Sequence, residues 1–130
     1  MSSTKDIILD FIKLTFKRSS PDSITSLCGF PFYLKENKLK IYSSATEMKN
    51  DIIKNYRKTK KKPVDYKIDS IYKSDTCSTV PKELIGKVSF VYVKLYFPFV
   101  GEGKLGQTLN TVFFIENKYP YKISGIEDFY

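Results

Sequence analysis

Histidine and tryptophan are both absent from this chain of 130 residues. Histidine is the side chain that most often acts as a general base near neutral pH, and it is also the commonest metal ligand in proteins. The two cysteines, Cys28 and Cys77, lie far apart and show no paired spacing. The sequence therefore predicts no zinc site, no other metal site and no cofactor. It leaves open whether the cysteines are two reduced thiols or one disulfide.

Long apolar runs are missing as well. No stretch approaches the ~18 apolar residues that a membrane-spanning helix needs, so we expect no membrane span. Charged residues interrupt the first twenty positions at Lys5, Asp6, Asp10 and Lys13, which excludes a secretory signal there. We expect a soluble, cytoplasmic protein, and export stays open if a leader precedes the sequence shown.

Arginine is scarce, although the chain is basic. The net charge is +8, yet only Arg18 and Arg57 are arginines, and lysine supplies the rest of the positive charge. Paired hydrogen bonds to bases or phosphates favour the arginine fork. The composition therefore disfavours sequence-specific recognition of nucleic acid, and we expect no nucleic-acid partner.

One basic cluster stands out in the stretch "NYRKTKKKPVDY". Its members are Arg57, Lys58, Lys60, Lys61 and Lys62. Cations at the end of a helix complement the negative end of its dipole, each by ~0.3–1 kcal/mol. We interpret the cluster as a solvated helix end. The alternative is a surface patch for anions, which would bind weakly and in a strongly salt-dependent way.

Aromatic and aliphatic residues are abundant. Hydrophobic residues make up 42% of the chain, with ten phenylalanines and ten tyrosines. That content is too high for a disordered chain, and the length suits one domain with a real core. We predict a single domain over residues 1–130.

Three helix starts are recognisable in the first half of the sequence. Ser3 lies three residues before Asp6, and Ser44 lies three residues before Glu47, as in capping boxes. Ser20 is a good N-cap before Pro21. Apolar residues follow each start at helical spacing. In the second helix the apolar side is Ile24, Leu27 and Cys28, with Gly29 as the stop. Cys28 is therefore expected to be a small core residue rather than a nucleophile.

Strand patterns fill the remaining sequence. "FPFYL" and "KLKIY" form a predicted hairpin, and four more strands follow in "VDYKIDSIY", "GKVSFVYVKLYFPF", "QTLNTVFFIE" and "KYPYKISGIEDFY". In the first of these four, Ile68 and Ser70 are predicted to share one face and Asp69 the solvent face. The next strand is apolar on both faces, which predicts cover on both sides. "GEGKLG" fits a turn between strands better than a phosphate-binding loop. The order indicates an α+β fold.

This order of elements resembles the nuclear transport factor 2-like superfamily, which includes ketosteroid isomerase-like and polyketide cyclase-like proteins. The resemblance covers about Thr4 to Phe129 and is carried by "SITSLCGFPFYLKENKLKIYSSATEMKNDIIKNY" and "TVFFIENKYPYKISGIEDF". In the second segment Tyr121, Lys122 and Ile123 stand where the family usually has a Trp-Lys-Ile-type strand, so the tryptophan is missing.

The resemblance implies a cone. Three N-terminal helices would pack against a curved, mostly antiparallel sheet. The open end would hold a small molecule, and the convex sheet face would form a homodimer. Isomerase-type members place a carboxylate base near the strand after the second helix. The corresponding "CGFPFYL" has none, so we expect no catalysis of that type. Asp69, with a nearby tyrosine, is the one candidate for a catalytic carboxylate, and a solvent-facing position is the alternative.

Tyrosines provide the best candidates for a binding pocket. We name Tyr33, Tyr56, Tyr92 and Asn110 as pocket residues because several converging hydroxyl and amide groups would anchor a small apolar or aromatic ligand. The alternative is that they cover a sheet face and a dimer interface.

Three functions follow from these expectations. The first is a non-catalytic, homodimeric, small-molecule-binding cone. The second is an interaction module that docks protein or nucleic acid through the sheet face and the basic cluster. The third is an enzyme of isomerase or dehydratase type.

Overall fold

The structure is a computed structural model that describes residues 4–35, 38–59, 66–74, 80–98, 106–118 and 120–129. Over these residues the elements follow the predicted order of helix, helix, hairpin, helix and four strands. They are α1 (Thr4–Phe16), α2 (Pro21–Thr25), β1 (Cys28–Lys35), β2 (Leu39–Tyr42), α3 (Ala45–Thr59), β3 (Lys67–Ser74), a 3-10 turn (Lys82–Leu84), β4 (Val88–Phe97), β5 (Gln107–Glu116) and β6 (Ile123–Phe129).

Two of the predicted caps are formed. The Ser20 hydroxyl accepts a hydrogen bond from the backbone N–H of Ser23 at 3.3 Å, and the Ser44 hydroxyl accepts one from the N–H of Glu47 at 3.3 Å. These bonds satisfy backbone donors that have no partner in the first turn of a helix. Ser3, the third predicted cap, lies outside the described residues.

The second helix is shorter than predicted. It ends at Thr25, and the prediction that Cys28 lies on its apolar side is wrong. The carbonyl of Leu27 instead accepts a hydrogen bond from the N–H of Ile123 at 2.9 Å, and Cys28 pairs with Ile123 as the first residue of β1. Long-range pairing with β6 has overridden the helical pattern, a competition that local sequence does not reveal.

The six strands form one sheet in the order β2-β1-β6-β5-β4-β3. Every neighbouring pair is antiparallel except β1 with β6. This parallel pair joins the N-terminal hairpin to the three long C-terminal strands. The molecule therefore has the α+β architecture of helices against a mostly antiparallel, open sheet.

The predicted alternation of β3 is wrong at one point. Ile68 pairs with Leu95 but Ser70 pairs with Lys94, so the register shifts at Asp69. An extra residue in one strand moves the following side chains to the opposite face. Ile71, rather than Ser70, consequently joins Ile68 against the core.

Helices cover one face of the sheet, which we call the inner face. The core there joins α1, α2 and α3 to the odd-numbered residues of β4 and β5, among them Val91, Val93 and Phe113. The other face, the outer face, carries a second buried cluster. It consists of Tyr33, Leu84, Val88, Phe90, Val112 and Phe114. On the outer face of β4, Val88 and Phe90 are buried, partly beneath the 3-10 turn, whereas Lys94 is exposed. The expected cover on both faces is therefore found only for the first part of β4.

Some predictions fall on residues that are not described. These are Lys60, Lys61 and Lys62, the partner cysteine Cys77, and positions 101–105 of the expected turn. Within the described ranges, no helix is both long enough and apolar enough to cross a membrane.

Candidate functional site

A cavity of about 580 Å³ lies between the inner face of the sheet and the helices. Pockets for small molecules commonly have ~300–1,000 Å³, so this volume suits a small ligand. Helix α1 and helix α3 form one side, and β1, β4, β5 and β6 form the other. The cavity exists because the helices cover the sheet without filling the space above its inner face.

The walls are mainly apolar. The aromatic and aliphatic residues that line the cavity are Phe11, Ile12, Phe16, Ile24, Phe32, Leu34, Met48, Ile52, Leu95, Leu109, Phe113 and Ile126. Phe11 and Phe113 contact each other edge to face, with ring centroids 5.9 Å apart. Such walls favour binding of apolar groups because they remove them from water.

Two polar side chains face each other on the sheet side of the cavity. Thr111 of β5 pairs with Asp128 of β6 in the strand register, and both line the cavity. The Thr111 hydroxyl donates a hydrogen bond to Oδ1 of Asp128. Burial raises the pKa of the Asp128 carboxyl, the neighbouring Glu127 adds to that rise, and the bond from Thr111 opposes it.

Lys40, Tyr42 and Asp51 form a second polar group at the rim of the cavity, where Lys40 is exposed, Asp51 is half-buried and Tyr42 is buried. The Lys40 ammonium pairs with Oδ2 of Asp51, and the Tyr42 hydroxyl donates to the same oxygen at 2.9 Å. These hydrogen bonds lower the pKa of Asp51. Burial, followed by the bond to Asp51, raises the pKa of Tyr42. The group links β2 to α3 across the rim.

Tyr56 lies on α3 and also lines the cavity. Its hydroxyl donates to the backbone carbonyl of Ser19 at 2.9 Å. The Arg18 guanidinium lies 4.6 Å from the centre of its ring and donates to its backbone carbonyl at 2.7 Å. Burial raises the pKa of Tyr56. These contacts hold the end of α1 against α3 beside the cavity.

The four predicted pocket residues do not lie together. Only Tyr56 is among the cavity-lining residues. Tyr33 belongs to the buried cluster of the outer face, and Tyr92 packs against that cluster. Asn110 shares its strand face with Val112, two residues away, and therefore also lies on the outer face. The expected shared lining is thus not what the geometry shows, because alternation separates the two faces of a strand without telling which one is concave.

The remaining predicted residues lie outside the cavity lining. Asp69 is exposed, at the irregularity of β3. Arg57 and Lys58 are exposed in the last turn of α3. Cys28 is buried in the core, and burial raises its pKa to about 12, so its thiol is a poor nucleophile at neutral pH.

Sequence reasoning missed Thr111, Asp128 and the three residues of the rim. A weak signal existed for Asp128, since it lies two residues after Ile126 and so shares a strand face with that apolar residue. The signal became informative only when the register placed Thr111 opposite it. Over the described residues, no group of three His, Cys, Asp or Glu side chains is arranged to hold a metal ion.

Solved structures resemble this chain in fold. A nuclear transport factor 2-like protein of unknown function from Pseudomonas putida has a TM-score of 0.67 at 5% identity, covering 95% of this chain and 81% of its own. A candidate ketosteroid isomerase from Shewanella frigidimarina has a TM-score of 0.68 at 10% identity, covering 98% and 95%.

A third structure is a hypothetical protein with a ketosteroid isomerase-like fold from Catenulispora acidiphila in complex with trimethylamine. Its TM-score is 0.59 at 10% identity, and the match covers 98% of this chain and 87% of that protein. No protein-family model matches the sequence, and no curated protein matches it. At such low identity the likeness establishes the fold alone, and the fold is nuclear transport factor 2-like.

Proposed function

We propose, from the nuclear transport factor 2-like fold and the cavity in it, that this protein binds a small apolar or aromatic molecule. The observation that carries the proposal is the cavity of about 580 Å³ with its largely apolar walls. A helix-sheet interface packed only for stability would fill such a space, since protein interiors approach crystal density. A protein of the same fold has been solved in complex with a small molecule, trimethylamine.

The polar groups suit a ligand with one polar end. Asp128 and Thr111 lie on the sheet side, and Lys40, Tyr42 and Asp51 lie at the rim. A few placed polar groups in an apolar pocket orient a ligand and give specificity. Binding is the proposed function, and no reaction step is assigned to these residues.

A matched pair on α3 tests the proposal. Ile52 lines the cavity, whereas Ile53 is exposed and does not. A thermal-shift screen of small aromatic compounds should give hits that raise the melting temperature. Ile52→Trp should abolish those shifts by occupying the cavity, and Ile53→Trp should keep them. Equal responses of the two variants, or no hit with the unmodified protein, would contradict small-molecule binding.

The outer face supports a second proposal, that two copies of the chain dimerise through it. Tyr72 is 54% exposed and stacks on Tyr92 at 5.3 Å. At the other edge of the sheet, Leu39 and Ile41 are 49% and 46% exposed. Ile41 pairs with Tyr33, which places it on the outer face. Contiguous apolar surface is typical of an interface. The stacked pair of Tyr72 and Tyr92 supplies such surface at one edge, and Leu39 and Ile41 would extend the contact at the other.

Sedimentation velocity over a range of concentrations checks the dimer. The unmodified protein should sediment as a dimer, and Tyr72→Lys should shift it to the monomer. Leu9→Lys is the control, because Leu9 is an exposed apolar residue on α1 rather than on the sheet. A monomer at all concentrations, or dissociation by Leu9→Lys alone, would exclude an outer-face dimer.

A further inference from the structure

We infer that the cavity selects a small organic cation, an amine with apolar substituents whose ammonium group pairs with Asp128. This inference rests on the proposed function and narrows it to one class of ligand. It follows from the placement of Asp128, from the balance of charge around the cavity and from the chemistry of the walls.

Of the two described acids that line the cavity, Asp128 is the more buried one. Its Oδ1 accepts the hydrogen bond of Thr111. Among the residues that the structure describes, the hydrogen bond from Thr111 is the side-chain contact of Asp128, and it goes to Oδ1. No buried side-chain oxygen among these residues lacks a partner, so Oδ2 is accessible. An ammonium donor in the cavity would give it a charge-assisted hydrogen bond.

The charges around the cavity favour a cation over an anion. The described residues that line it include one cation, Lys40, and two acids, Asp51 and Asp128. Lys40 is engaged by Asp51 at the rim, so the acid without a cationic partner in this set is Asp128. Arg18 lies nearby, but it contacts Tyr56 and is not part of the lining.

The whole molecule has the opposite balance, with a net charge of +8. General electrostatic attraction would therefore draw anions to this protein and repel cations. A preference for a cation would therefore arise from the local site rather than from the overall charge.

The walls accept the rest of such a ligand. Phe11, Phe32 and Phe113 line the cavity together with aliphatic side chains. Aromatic rings attract cations through their π-electrons, and apolar surfaces take up the alkyl or aryl substituents of an amine. An ammonium ion is thus less costly to bury here than in a purely aliphatic cavity.

Binding of an ammonium should also shift the titration of Asp128. Glu127 on the same strand and burial hold its pKa up, while Thr111 of β5 opposes them. The other ionisable lining groups are Lys40, Tyr42, Asp51 and Tyr56. Because the ammonium favours the ionised carboxylate, amine affinity should rise as pH rises through the pKa of Asp128.

Isothermal titration calorimetry with the full chain tests the inference with three ligands of similar size. They are benzylamine, which is cationic at pH 7, benzyl alcohol, which is neutral, and benzoate, which is anionic. Benzylamine should bind at least about tenfold more tightly than benzyl alcohol, the gain of one charge-assisted hydrogen bond. Benzoate should bind most weakly.

Two variants test whether the preference for benzylamine over benzyl alcohol depends on the carboxylate of Asp128. Asp128→Asn should lower benzylamine affinity by about tenfold and leave benzyl alcohol within about twofold. Asp69→Asn is the matched control, since it removes an exposed carboxylate that does not line the cavity. Its benzylamine affinity should stay within about twofold of the unmodified protein.

The outcomes separate this inference from the proposed function. If benzyl alcohol binds as tightly as benzylamine, or if Asp128→Asn changes nothing, the cation preference is wrong while small-molecule binding stands. If none of the three ligands binds and the thermal-shift screen gives no hit, both small-molecule binding and the cation preference are wrong.

A second measurement tests the inference without the Asp128→Asn variant, in case that variant does not fold. In the unmodified protein, the NMR signal of the Asp128 carboxyl carbon should move on titration with benzylamine and stay in place with benzyl alcohol. An unmoved signal at saturating benzylamine would overturn the inference.

Discussion

The inner and outer faces of the sheet are built from the same strands, yet they are packed differently. On the outer face of β4 and β5, Phe90 and Phe114 meet edge to face at 5.9 Å, and Phe114 is 1% exposed. On the inner face, Leu109 and Thr111 border an open cavity. Apolar content alone therefore does not distinguish a closed cluster from an open cavity. What distinguishes them is whether another element fills the space above the strand.

The largest expected loss of stability concerns the buried cluster of the outer face. Phe114→Ala should lower the free energy of unfolding by about 3–5 kcal/mol, because it leaves a void among close-packed side chains. Leu109→Ala should cost less than about 2 kcal/mol, since Leu109 is only half-buried and already borders open space. Urea unfolding of both variants measures the difference. Equal losses would mean that the two faces are packed alike.

The next effect concerns the junction of β1 and β6. A Cβ at Gly125 would lie 2.6 Å from the carbonyl oxygen of Tyr33 and 2.9 Å from Cδ2 of Phe114. The backbone oxygen cannot rotate away, so Gly125→Ala should destabilise the fold by about 1–3 kcal/mol. Ser70→Ala, at an exposed position of β3, should stay within about 0.5 kcal/mol. A Gly125→Ala variant as stable as the parent would show that the parallel pair is looser than described.

A smaller effect is expected in the pH dependence of stability, through the carboxyl of Asp128 on the inner face. Burial raises the pKa of Asp128 in the folded state, so more protons are bound by the folded than by the unfolded chain between the two pKa values. The stability that Asp128 contributes is therefore complete below its unfolded pKa of about 3.9 and is lost as pH rises through its folded pKa. Asp128→Asn removes this term.

Urea unfolding from about pH 3 to about pH 7 measures the pH-dependent contribution of Asp128 to the free energy of unfolding. The stability of Asp128→Asn relative to the unmodified protein should increase as pH rises. Asp69→Asn, which removes an exposed carboxylate outside the cavity, is the control. A difference for Asp128→Asn that is constant with pH, or that falls as pH rises, would contradict the raised pKa.

The smallest effect is expected at the rim. Lys40 and Asp51 are partly exposed, with side chains 55% and 35% accessible, and exposed ion pairs contribute below about 1 kcal/mol and weaken in salt. Asp51→Asn should nevertheless cost more than Asp22→Asn. Asp22 pairs with Lys49 at 2.7 Å, whereas Asp51 also accepts the hydrogen bond of Tyr42. Thermal unfolding at low and high salt compares the two, and equal losses would show that the Tyr42 bond contributes nothing.

Much of the fold could be predicted because its signals are local. Ser20 and Ser44 indicate helix starts, because their cap hydrogen bonds are made within one turn. The alternation of β4 places Val91 and Val93 on one face and Phe90 and Tyr92 on the other. The end of α2 at Thr25 and the shift at Asp69 could not be predicted, since both depend on pairing with distant strands. The same distinction applies to the residues that line the cavity. Tyr56 was among the predicted pocket residues and lines the cavity, whereas Thr111 and Asp128 meet only through the register of β5 with β6.

The order of the elements, the apolar character of both faces of β4 and the absence of histidine from any site could be inferred from the amino-acid sequence. They could be inferred because caps, alternation and residue type are properties of neighbouring residues. The position of the cavity on the inner face, and the presence of Asp128 in its lining, depend on the three-dimensional arrangement of the elements. Concavity depends on how the helices and the parallel β1–β6 pair lie across the sheet, and contacts between residues so far apart in the chain leave no mark on local sequence.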